Sequence, residues 1–155
     1  AFFDAIHFFG DVGYVLGDPI AGRWMVLVSL DRGKTWKSFE KLPKALDGEA
    51  VFAASSSSLI ADSNEVIFAT GGSSSRFHRY SITDKSWKVN PLPLMAQGES
   101  AKGVFAMTEG HRGQTILWIW ETLGPHFQRL DFIRLKPLGM GVQLGHQVRE
   151  DELQN

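Results

Sequence analysis

Two tryptophans constrain this chain most. Trp36 follows the turn Asp31-Arg32-Gly33-Lys34-Thr35, and Trp87 follows Thr83-Asp84-Lys85-Ser86, so a polar corner leading into an aromatic strand returns after 51 residues. Between the corners the chain is a series of short apolar runs cut by turn residues. Phe2 to Phe9 stops at Gly10-Asp11, and Gly13 to Gly17 stops at Asp18-Pro19. Trp24 to Leu30 carries β-branched residues that favour strand over helix, and Thr35 to Phe39 alternates polar with aromatic. Four short strands joined corner to corner form one antiparallel meander. The order then repeats through Ala50 to Ala54, Leu59 to Ala61, Glu65 to Thr70, Arg76 to Ser81 and Ser86 to Val89, and a third round opens at Gly103-Val104-Phe105-Ala106-Met107.

A repeat of about 40–50 residues with four strands per unit is the sequence mark of a β-propeller. The predicted fold is therefore all-β: a β-propeller fragment of two four-stranded blades, near 1–41 and 48–92, plus an incomplete third beginning near 103. Two blades and a part cannot close a ring, and stacked repeats bury their faces only against neighbours. Ala1 opens directly into the first apolar run with no basic n-region or cleavage site. The expectation is a strand entered partway through a longer protein.

Composition narrows the function classes. Sixteen basic side chains stand against 17 acidic ones, a net charge of −1 that offers no general attraction for nucleic acid or an anionic membrane. No apolar run approaches the roughly 18 residues of a transmembrane helix, so no transmembrane segment is expected. The absence of cysteine removes disulfides, thiolate catalysis and cysteine zinc sites.

One motif has a physical mechanism. In Ser29-Leu30-Asp31-Arg32-Gly33-Lys34-Thr35-Trp36 the Asp31 carboxylate is placed to accept amide bonds from the turn that follows. Gly33 can take a positive φ, Thr35 starts the outgoing strand, and Trp36 offers a flat surface with an indole N–H that needs a partner. These residue types build a hairpin corner and supply no catalytic chemistry. The second corner is degenerate. Counting back from Trp87 puts Ile82 at the Asp31 position, Asp84 at the Gly33 position and Ser86 at the Thr35 position, with Tyr80 seven residues before Trp87.

The first corner matches S-x-D-x-G-x-T-W and so resembles the Asp box of bacterial-neuraminidase-type repeats. With Phe2-Phe3-Asp4, Gly13 to Pro19, Leu42 to Leu46 leading into Gly48 to Ser55, and Ala69-Thr70-Gly71-Gly72, residues 1 to about 105 resemble the Asp-box propellers related to the photosystem II stability/assembly factor. That resemblance implies a seven-bladed propeller, usually exported to the periplasm or outside the cell, acting as a scaffold that binds a protein partner. It implies no cofactor, metal or catalytic residue. After Met107 the pattern is lost, and 108–155 is read as a divergent or out-of-frame tail.

Two other readings compete. A sialidase-like glycoside hydrolase also carries Asp boxes, but such enzymes need an arginine cluster, an acid/base Asp and a Tyr–Glu pair. The arginines here are scattered singly, no Arg-Ile-Pro motif is present, and the only tyrosines, Tyr14 and Tyr80, fall in expected strands. A kelch-type interaction module would account for Gly71-Gly72, Tyr80, Trp87 and Pro91-Leu92-Pro93, although the first unit has no glycine pair. The serines at 55–58 and 73–75 lack a nucleophile elbow and read as solvated loops or strand edges. The five histidines are too far apart for metal-type pairing, and Arg76, His78 and Arg79 read as a solvated basic face. Trp118 and Trp120 share one strand face and read as packing. Loops 10–22 and 71–76 are expected to project towards a partner.

Overall fold

The computed structural model describes residues 2–52, 56–92, 103–109, 115–122, 128–135 and 142–143; the last three stretches are described by their backbone. Among these residues the fold is all-β, in three antiparallel sheets of which none closes on itself.

Sheet 1 is a meander of β1 (Phe3–Phe9), β2 (Val12–Ile20), β3 (Arg23–Ser29) and β4 (Lys37–Ser38), hydrogen-bonded in chain order. A two-residue strand β5 (Glu49–Ala50) and a 3-10 turn (Ser56–Ser58) follow. Sheet 2 holds β6 (Leu59–Ala61), β7 (Glu65–Ala69), β9 (Arg76–Ser81) and β10 (Ser86–Pro91), again a meander. Strand β8 (Gly71–Gly72) leaves this sheet to join β5 on one side and β11 (Gly103–Glu109) on the other. Sheet 3 continues through β12 (Thr115–Thr122), β13 (Gln128–Leu135) and β14 (Val142–Gln143). Beyond Met107 the described backbone forms strands β12, β13 and β14 in an antiparallel ladder, with a register shift between Val104 and Ala106 of β11.

The period-2 geometry of strands explains how the sheets pack, since successive side chains point to opposite faces. In sheet 2, Leu59, Ala61, Val66 and Phe68 point one way and join Ala5, Tyr14, Leu16, Trp24 and Val26 of sheet 1 in one core. The alternate residues Ile60, Ile67, Ala69 and Phe77 join Val104 and Met107 of β11 in a second core. Both faces of sheet 2 are therefore covered, which is why Val66-Ile67-Phe68-Ala69 is apolar without interruption. Among the described residues sheet 1 is covered on one face only. On the other, Ile6 and Phe8 remain 48% and 44% exposed, with the Trp36 ring edge-on to Phe8 at 6.0 Å.

Three expectations are corrected. Residues 10–22 are not a loop, because β2 occupies most of them. Its flanking turns lie at opposite ends of sheet 1: Asp11 bonds to Arg32 at one end, and Gly22 bonds to Ala45 at the other. The basic trio is not a solvated face. His78 and Arg79 are buried and Arg76 is half-buried, because β9 is covered on both sides. Of the serines, Ser58 and Ser75 are buried, and Ser75 donates to the Thr70 carbonyl. Ala53, Ala54, Ser55, Pro93, His111, His126, His146, Pro125, Pro137 and the acidic end near 150 lie outside the described residues.

Candidate functional site

Three groups of side chains are candidates. The first is the corner between β3 and β4. Ser29 is buried at the end of β3; its hydroxyl donates to Asp31 Oδ1 at 2.8 Å and accepts the Gly33 amide at 2.8 Å. Asp31 accepts the Thr35 amide on Oδ1 at 2.8 Å and the Thr35 hydroxyl on Oδ2 at 2.7 Å. The hydroxyl and amide of Thr35 and the hydroxyl of Ser29 hold the Asp31 carboxyl down at about 2. Gly33 sits at φ 81°, in the left-handed region that glycine enters without steric cost, and its carbonyl receives the Trp36 indole N–H at 3.0 Å. Ser29, Asp31, Thr35 and the Trp36 indole are thus engaged within the corner, while Arg32 reaches out to Asp11 at 2.7 Å.

The second corner is built differently. Ser81 donates to Asp84 Oδ2 at 2.8 Å and accepts the Asp84 amide at 3.1 Å, so a Ser–Asp pair recurs with one more residue between its members. Ser86 is exposed at the start of β10. Trp36, Tyr80 and Trp87 are all half-buried, but Trp87 and Tyr80 have different neighbours from Trp36. They turn between sheets 1 and 2, with Phe39 4.9 Å from Tyr80 and 5.8 Å from Trp87, and Phe68 5.7 Å from Trp87. Among the described residues the buried Trp87 indole nitrogen has no hydrogen-bond partner.

The third group is a buried ionic cluster. Glu49, 3% exposed, is brought beside β9 by the short β5–β8 pairing. Its carboxylate accepts Arg76 Nε at 3.0 Å, the Thr70 hydroxyl at 2.6 Å and the Leu46 amide at 2.9 Å, and His78 Nε2 lies 3.3 Å away. Burial alone would raise this carboxyl, yet the bonds from His78, Arg76, Leu46 and Thr70 prevail and hold it at about 2. Arg76 also donates to the Lys44 carbonyl at 2.7 Å. His78 is fully buried, stacked on Phe68 at 4.2 Å and edge-on to Trp24 at 5.6 Å. Burial pushes its imidazole below the ordinary 6.5, with Glu49 opposing and Arg76 reinforcing the shift. Arg79 pairs separately with Glu65 at 2.9 Å. The glycines make the approach possible: a Cβ on Gly72, at φ 92°, would lie 2.2 Å from the Gly48 carbonyl oxygen.

Residues at the sheet edges also enclose an open cleft of about 540 Å³, lined by Ile6, His7 and Phe9 of β1, Ser56 and Ser57, β6, and Met107 and Thr108 of β11. Among the described residues, no three carboxylate or histidine groups converge in a metal-type arrangement, and no helix is long and apolar enough to cross a membrane.

Glu49 was the residue that sequence reasoning passed over. Its one local signal is a lone carboxylate entering the apolar run Ala50-Val51-Phe52, where an unpaired charge would be costly and a partner is therefore expected. That the partners are Arg76 and His78, 27 and 29 residues on, is not visible in any local pattern. Comparison of the chain with protein-family models, with curated proteins and with solved structures finds no match in any of the three.

Proposed function

We propose that this chain is a non-catalytic scaffold of the β-propeller type, its stacked meanders serving as successive blades, and that it binds a protein partner. The carrying observation is where the polar and apolar chemistry lies. Asp31 and Glu49 accept bonds from their own chain, whereas the β1 edge turns Phe3, Ile6, Phe8 and Phe9 towards solvent. An apolar row of that size on a sheet edge favours association with another protein surface. The covering of sheet 2 on both faces supports the blade reading, because each meander there meets a neighbour face to face. The exported location rests on the resemblance of the first corner to Asp-box proteins.

The test uses the full chain. A protein retained by the wild type and released by Ile6→Ser/Phe8→Ser, which alters neither core, supports the reading. Retention unchanged by that double substitution would overturn the assignment of the surface. Turnover of an aryl sialoside by the purified chain would overturn the non-catalytic reading in favour of the hydrolase.

A further inference from the structure

The segment 39–52 leaves sheet 1 and passes through β5, whose two residues pair with β8; outside that short ladder it is held by side chains and single backbone bonds. Ala45 N–H donates to the Gly22 carbonyl at 3.0 Å, and Val51 N–H donates to Asp18 Oδ1 at 3.0 Å. Glu49, between them, and the Lys44 carbonyl, just before them, are held from β9 by Arg76, and Glu49 by His78 as well. We propose that Glu49, Arg76 and His78 form an acid-releasable clasp on this segment, closed while His78 is neutral and opened when it takes a proton.

The two ring nitrogens of His78 differ in what they meet. Glu49 is ionised and has no proton to give, so the Nε2 of His78 carries the hydrogen of their contact. Nδ1 is then a bare acceptor, buried and without a partner among the described residues. In acid it would become a buried N–H with nothing to receive it, and the imidazolium would add a second cation to a carboxylate already paired with Arg76. The elements packed on His78 offer no relief. Strand β7 presents the Phe68 ring and β3 presents the Trp24 ring; the charged groups acting on His78 are Glu49 and Arg76. The proton is accommodated only when the segment lifts and the imidazole meets water.

The sign follows from linkage. A histidine whose folded value lies below 6.5 contributes its full stabilisation above 6.5 and loses it as pH falls towards the folded value. Asp4, beside Asp18 at the far end of the segment, acts the other way. Burial first and the Asp18 charge second raise it to about 6, so it favours the closed form as pH falls through that value. The measurement therefore uses Asp4→Asn as the background.

Amide hydrogen exchange of the full chain at Ala45, Leu46 and Val51, corrected for intrinsic rates, is compared between pH 7 and pH 5. In Asp4→Asn, opening is expected to rise towards about 25-fold, the ratio set by a histidine of 6.5 that protonates only when open. Adding His78→Gln, which keeps a donor near the Nε2 position and cannot take a proton, should abolish that rise. Equal opening at the two pH values, or the same rise with His78→Gln, overturns the clasp. The wild-type His78 Cε1 proton is followed by NMR in parallel, which covers the case of a variant that does not fold. A titration midpoint at or above 6.5 overturns the proposal, and one below it supports it.

Discussion

Glu49→Gln removes the charge from a buried carboxylate shared by Arg76, Thr70, His78 and the Leu46 amide. The size of the effect follows from the carboxyl itself, held at about 2 against an ordinary 4.5. At 1.36 kcal/mol per unit that difference corresponds to about 3 kcal/mol. Removing one partner of a buried ion pair independently predicts about 3–5 kcal/mol, because Arg76 is left with an uncompensated charge. Both routes place the loss near 3 kcal/mol. The assay is urea unfolding of the chain followed by tryptophan emission, since Trp24 and Trp87 lie in the core that the cluster borders. The pH dependence is the stricter check. A depressed carboxyl contributes fully above 4.5 and loses its contribution as pH falls towards 2. The gap between wild type and Glu49→Gln should be full at pH 7, begin to close below 4.5 and be mostly gone near 2. A gap under about 1 kcal/mol at pH 7, or one that stays constant down to pH 3, would refute the reasoning.

Phe68→Ala, which empties a fully buried site between Trp24, His78 and Trp87, should cost about 3–5 kcal/mol in the same unfolding assay. Gly72→Ala forces a Cβ against the Gly48 carbonyl at a positive φ, and about 2–4 kcal/mol is expected from strain and overpacking together. Asp31→Ala should accelerate exchange at the Thr35 amide while leaving β7 protection unchanged. In the wild type the same amide should stay protected above pH 3.8 and lose protection as pH falls towards 2, because the Asp31 carboxyl is depressed by its bonds to Thr35 and Ser29. The chain as a whole should self-associate through its exposed β1 side chains, and sedimentation velocity should show less association for Ile6→Ser/Phe8→Ser.

Local structure is legible in the residues themselves. Short apolar runs and their turn residues define most of the strands, because side-chain alternation and the φ demands of Gly10, Gly22 and Gly33 act over a few residues. The residue types at 29–36 likewise place donors and acceptors within reach of one another. Tertiary structure decided which faces are covered. Trp36 and Trp87 follow comparable turns in the sequence, yet one packs edge-on to Phe8 and the other packs against the core between sheets 1 and 2. Arg76, His78 and Arg79 alternate like a solvated strand and are instead enclosed, since burial depends on the sheets stacked to either side of β9. Glu49 stays inside because Arg76 and His78 arrive from a distant strand to satisfy it. A charge is tolerated in a core only where such partners converge, and that convergence is a property of the packed fold.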